Sequence, residues 1–166
     1  LFTNHGELAN RLMHPSYELK REYMARIHGE VDEAMIKRLT DGVILDDGIA
    51  KFQTVKAQHA RNADERGGSN NWFRVILAEG RTREVRRLWE SQDVEVNRLK
   101  RISYGPIELP SIVRKSQFIE LDPKQVVSLF RAVALKPPRF SEKNVYRDIR
   151  ERKEKKLRAR GDTRKL

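Results

Sequence analysis

The chain has 166 residues, a formal net charge of +11 and a pI of about 10.1. Its length supports a domain with a real core, and the absence of cysteine excludes disulfides and thiolate chemistry and suits a cytoplasmic protein. The four histidines show no zinc-ligand spacing, and no apolar run approaches membrane length or marks a signal peptide.

The opening Leu1-Phe2-Thr3 reads as the end of a strand that begins upstream, so the chain is expected to be a fragment. Asn4-His5-Gly6-Glu7 has the form of a capping box with Asn4 as the cap. Leu8, Ala9 and Leu12 follow at helical spacing, and Pro15 stops the helix near His14. Lys20 to His28 alternates, with Tyr23, Ala25 and Ile27 on the apolar side, which predicts a half-buried strand ended at Gly29. Asp32 caps a short helix over Glu33 to Thr40, with Gly42 as its stop. Val43 to Leu45 is a short strand, Asp46-Asp47-Gly48 a turn, and Ile49 to Gln58 a strand carrying Phe52, Thr54 and Lys56 on one face. Arg61 to Asn71 is a polar loop.

Asn71 to Ala78 predicts a strong strand and Arg83 to Gln92 a helix. Val94 to Tyr104 is a strand closed by Gly105-Pro106, and Gln117 to Leu121 a further one. Pro123 opens a helix to about Ala134. From Ser141 a charged helix is expected, with too little apolar surface for a core of its own. Strands outnumber helices and mostly follow one another, so the class is α+β with a mainly antiparallel, mixed sheet flanked by helices. The expected organisation is a domain over 1–136 and a basic extension over 137–166.

Charge points to a polyanion. Residues 141–166 hold eleven Lys/Arg against five Asp/Glu, and the other 140 residues still carry +5. Both favour nucleic acid, although many soluble proteins are basic and a charged tail is often only a solvated helix. Four arginines fall within seven residues in Gly80-Arg81-Thr82-Arg83-Glu84-Val85-Arg86-Arg87, directly after a strand. On a helix, Val85, Leu88 and Trp89 make one apolar stripe. Arg86 borders it, while Arg83 and Arg87 point away. The ordinary alternative for Arg86 is a surface pair with Glu90, and for Tyr23 simple core filling.

Four segments resemble the bacterial ribosomal RNA pseudouridine synthases, in the group that holds small-subunit synthase A and large-subunit synthase B. They are Thr3 to Pro15, Lys20-Arg21-Glu22-Tyr23, Glu79 to Arg87, and Arg98-Leu99-Lys100-Arg101-Ile102-Ser103-Tyr104-Gly105-Pro106. The form Arg86-Arg87-Leu88-Trp89-Glu90 looks most like large-subunit synthase B. The resemblance spans roughly residues 1 to 121. It implies the pseudouridine synthase catalytic-domain fold and isomerisation of a uridine in ribosomal RNA by a monomer, without cofactor or metal.

It also implies site residues: Tyr23 as the active-site tyrosine, Leu99 as a pocket leucine, and Arg86 as the partner of a nucleophilic aspartate. Position at the edge of the apolar stripe independently nominates Arg86 for a carboxylate partner. That aspartate is expected before Leu1; Asp32, Asp41, Asp46 and Asp47 do not stand at the matching place, so the fragment is expected to be inactive alone. An aromatic face suits a base flipped out of its stack. Lys20, Arg21, Arg81, Arg83, Arg87, Arg98, Lys100 and Arg101 are the expected phosphate contacts. The alternative is an RNA-binding or ribosome-assembly module without catalysis.

Overall fold

The computed structural model describes residues 1–58, 70–114 and 116–140. The polar loop expected from Arg61 lies outside them as far as residue 69, as does the charged helix expected from Ser141. The chain divides into two compact units, Leu1–Ile119 and Glu120–Leu166.

In the first unit α1 spans Gly6–Met13, and its cap corrects the sequence reading. His5, not Asn4, occupies the N-cap, and its Nδ1 accepts the Leu8 amide at 3.0 Å. Glu7 turns outward to Arg11 at 2.7 Å, so the reciprocal bond of a capping box does not form. A 3-10 turn over Pro15–Tyr17 follows, with His14 as its cap.

Five antiparallel strands form the main sheet in the order β4-β5-β1-β6-β7. They are β1 (Arg21–His28), β4 (Thr54–Gln58), β5 (Asn70–Leu77), β6 (Glu95–Tyr104) and β7 (Ile107–Glu108). The class is α+β, as the element pattern predicts. β1 is central because it pairs along its whole length with both β5 and β6. Two irregularities in the β1–β6 ladder, between Glu22 and Tyr23 and between Arg26 and Ile27, each let one extra β6 residue pass without inverting the faces.

Between β1 and β4 the chain makes α2 (Glu33–Asp41), capped by the Asp32 carboxylate on the Met35 amide at 2.6 Å. A two-stranded hairpin follows, β2 (Val43–Leu45) with β3 (Gly48–Ala50). The single strand expected over Ile49 to Gln58 is therefore two. Phe52 is fully buried between them. Its amide bonds Leu39 O at 2.9 Å, and the Gln53 amide bonds Ile76 O at 2.8 Å. Burying that ring takes the chain out of the hairpin before it can join the sheet edge.

The inner face of the sheet carries Ala25, Ile27, Phe73, Val75, Leu77 and Val96, and with α2 and α3 (Glu84–Glu90) it encloses the core. Trp89 on α3 is fully buried, its ring centroid 5.2 Å from Phe73 and 5.8 Å from Phe52. A ring of that size, removed from water, contributes roughly 2–3 kcal/mol. The strand expected over Gln117 to Leu121 is absent: that segment joins no ladder, and Phe118 is 81% exposed. The second unit contains α4 (Pro123–Ala132), opened by Asp122 and Gln125 in a complete capping box with Pro123 at the first turn.

Candidate functional site

The loop from β5 into α3 is built around one carboxylate. Glu84 stands four residues before Leu88 and so falls on the buried stripe of the helix. It is 3% exposed. Its Oε2 accepts the Arg81 amide at 3.0 Å, closing the turn from Gly80. Oε1 has no partner among the described residues. Burial pushes the carboxyl up to about 7, and the nearby Glu79 adds to the rise while the Arg81 amide opposes it. Arg83, with a left-handed φ of 52°, makes the corner into the helix.

The arginines of this stretch then part company. Arg86 is half-buried, and its Nη1 donates to the backbone carbonyl of Val96 on β6. That bond uses one of five donors and leaves the rest of the fork available. The surface pair with Glu90 goes to Arg83 instead, at 3.5 Å. Arg87 and Arg81 both turn to Asp47 in the β2–β3 turn. Arg87 grips both carboxylate oxygens, Nη1 to Oδ2 at 3.1 Å. Arg81 reaches the Asp47 carbonyl at 3.1 Å and the Ile49 carbonyl at 2.8 Å. The hydrogen bond from Arg87, chiefly, holds the Asp47 carboxyl below its ordinary value.

Strand alternation places Tyr23 and Leu99 on the inner face of the sheet, the one α3 covers. Tyr23 pairs with Val75 and Arg101, and Leu99 pairs with Ala25. Both are half-buried and pack against the edge of the core. Ile27, across from Val96, is four residues along β1 from Tyr23, roughly 13 Å at strand rise. Arg86 is anchored at the Val96 end, Leu99 stands midway, and Tyr23 lies beyond it. Tyr23 and Leu99 thus share the sheet face that α3 covers, and Arg86 reaches the Val96 end of β6 from α3. A cleft of about 360 Å³ lies on the opposite face, lined by Glu22, Met24, Gln58, Arg74 and Ile102 among others.

The remaining expected contacts are spread over several surfaces. Arg21 is buried. Its Nη1 donates to Leu19 O at 3.0 Å and Ala78 O at 3.3 Å, and its guanidinium lies 5.0 Å from the centre of the Tyr104 ring. A side chain at Gly80 would place its Cβ 3.0 Å from Arg21 Nε, so glycine there makes room for this cation. Arg21 is therefore tied into the fold rather than presented to solvent. Arg101 is exposed on the inner side, 5.2 Å from the Tyr104 ring. Lys20 is exposed just before β1, whereas Arg98 and Lys100 are exposed on the outer face.

Three functional-looking groups escaped sequence reasoning. Glu84 had a signal, its place on the apolar stripe. Asp47 had none, being forty residues from Arg87. Tyr104 had none either; it donates to Leu12 O at 2.6 Å across 92 residues of sequence.

Residues 1–91 match the RNA pseudouridylate synthase family, and the chain belongs to it. Among its relatives is the ribosomal large subunit pseudouridine synthase B of Pseudomonas aeruginosa, 51% identical over 137 residues, which are 82% of this chain and 34% of that protein. The protein of the same name from Escherichia coli K12 is 46% identical over 158 residues, 95% of this chain and 52% of that one. The chain thus spans about half or less of the length of these relatives. A crystal structure of a pseudouridylate synthase, 19% identical, superposes with a TM-score of 0.63 over 76% of this chain and 52% of that one, which shows the shared fold.

Proposed function

We propose that the parent protein converts one uridine of large-subunit ribosomal RNA to pseudouridine, and that this chain supplies the positioning half of its active site. The observation that carries the proposal is the placement of Tyr23 and Leu99 on the sheet face covered by α3, the helix that carries Arg86 and reaches β6 at Val96. It joins three separate motif segments, in a chain 46–51% identical to synthases named for that RNA.

The reaction is balanced without an outside reactant. The bond from ribose C1′ to uracil N1 breaks, the ring turns, and C1′ joins C5. The proton on C5 leaves, and N1 ends protonated. Tyr23 offers its ring as a stacking face for the flipped base, and its hydroxyl stands ready for the proton leaving C5. Leu99 closes the other side of the pyrimidine and excludes water. Arg86, fixed by the Val96 carbonyl, presents its free donors to the nucleophilic carboxylate. Partial burial makes such a charge-assisted pair strong. Lys20, Arg83 and Arg101, all exposed, fit the flanking phosphates.

The nucleophile is left to an aspartate ahead of residue 1 in the parent. Asp32 caps α2, and Asp47 sits in the β2–β3 turn held by Arg81 and Arg87 rather than by Arg86, so neither stands where Arg86 would present a nucleophile. The same facts favour a second reading for the chain by itself, an RNA-binding module without catalysis.

Tritium release from ribosomal RNA labelled at uridine C5 tests both. The full-length parent should release tritium, and Arg86→Ala should cut release by at least about 100-fold with modest loss of RNA affinity. An Arg86→Ala parent of normal activity defeats the assignment, and release by residues 1–166 alone shows that the nucleophile lies within them. Tyr23→Phe should slow the single-turnover rate by about 100-fold or more while affinity stays close to wild type. An unchanged rate removes the proton role.

A further inference from the structure

The outer face of the sheet, opposite Tyr23 and α3, carries its own pattern. Cross-strand register assembles two rows. One is Lys56, Arg74, Met24 and Lys100; the other is Gln58, Trp72, Arg26 and Arg98. Five of these eight residues are cations. Arg74 is occupied by Glu22, with Nη2 to Oε2 at 2.9 Å. Arg26, Lys56, Arg98 and Lys100 make no ion pair with a described residue, and all but half-buried Arg26 are exposed. The acids of this face are Glu22, already paired, and Glu95 and Glu108 toward its two ends.

We propose that this face is a second RNA-binding surface, which holds a double-stranded arm of the substrate away from the catalytic side. It rests on the reading that the parent acts on RNA. Strands spaced about 4.8 Å apart, with same-face residues about 6.6 Å along each strand, set the four cations in a grid about the cleft on this face. A cationic grid of this kind meets a backbone, not a base. Among its described residues the face has one large aromatic ring, Trp72, which is half-buried, with the His28 imidazole at one end, so it offers no run of rings on which successive single-stranded bases could stack. A duplex presents phosphates and hides its bases, which is what such a grid can bind. Of these four cations Lys56 feels a carboxylate, that of Glu22, which Arg74 already holds; the like charges repel one another, and a polyanion relieves that.

The test uses the full-length parent with Arg26, Lys56, Arg98 and Lys100 all changed to Gln. Binding to a plain RNA duplex of about 16 base pairs is followed by fluorescence anisotropy from about 50 to 200 mM salt. The log–log salt slope should flatten by about 3.6, with at least a tenfold loss of affinity at the upper end. Lys56→Gln and Lys100→Gln singly, both at exposed positions, should each flatten it by about one unit, which guards against misfolding of the fourfold variant. Wild-type slope and affinity in these variants overturn the proposal. So does an equal loss when Lys37, Lys51, Lys124 and Arg131 are replaced instead, because any four cations would then serve. A greater loss for single-stranded oligouridylate than for duplex overturns the duplex assignment. A parent that makes pseudouridine yet binds duplex normally without these cations sinks only this inference. A parent that makes none while the slope still flattens sinks only the catalytic reading.

Discussion

Glu84 is the residue whose chemistry departs most from its sequence type. A glutamate with one oxygen bonded to the Arg81 amide and the other unpartnered is costly to ionise inside the fold. Its folded-state value of about 7 stands above the ordinary 4.5. The folded form therefore binds the extra proton, and the stability from Glu84 is complete below about pH 4.5 and lost as pH rises to about 7. The loss is on the order of 2–3 kcal/mol. Asp47 and Glu22 shift the other way, so their stabilisation is lost only as pH falls through the acid range. Urea midpoints at pH 5 and pH 8 separate the two: wild type should be less stable at pH 8, and Glu84→Gln should lose most of that difference. An equally steep variant means another group titrates. At this scale the sequence was legible where a side chain obeys helical period. Val85, Leu88 and Trp89 are all buried as the wheel places them. It was not legible for Arg21, whose burial depends on Ala78 and Tyr104 arriving from other strands.

The elements that alternate over many residues, β1, β5 and β6, appear close to their expected limits because period two and burial agree there. Short or interrupted segments do not announce themselves. β7 has two residues and exists because Gly105 turns the chain back beside β6. Gln117 to Leu121 has strand-like composition yet joins no ladder. The β2–β3 hairpin presents apolar side chains to solvent, with Ile44 and Ile49 84% and 69% exposed. Its polar tether to α3 is Asp47, held by Arg81 and Arg87. Such exposed pairs add little to global stability, but they fix one element against another. Asp47→Ala should leave the melting temperature nearly unchanged and speed amide exchange over residues 43–50. Exchange at the wild-type rate means that the carbonyl contacts of Arg81 suffice without the carboxylate. In the parent, the freed Arg81 and Arg87 should then bind RNA phosphates more tightly, the opposite of what loss of a mere stabilising pair produces.

Across the whole chain the charge is divided between residues 1–140 and the basic residues 141–166, the bulk of the segment expected from sequence to be an extension. Residues 141–166 carry +6 of the net +11, and the rest carries +5. Each lysine or arginine that meets a phosphate releases counterions, so the salt slope of binding reports how many phosphates are held, whatever their place in the fold. Removing 141–166 from the parent should flatten the slope for duplex RNA by several units, up to about 0.9 for each phosphate the extension had neutralised, and leave the single-turnover rate at saturating RNA near wild type. A slope that does not move means the extension never touches the duplex. Combining the truncation with Lys56→Gln and Lys100→Gln takes the argument further. Two surfaces that hold different phosphates release them independently, so the slope changes should add. If the combined change is no larger than that of the truncation alone, the extension and the sheet face compete for the same phosphates, and only one of them binds at a time.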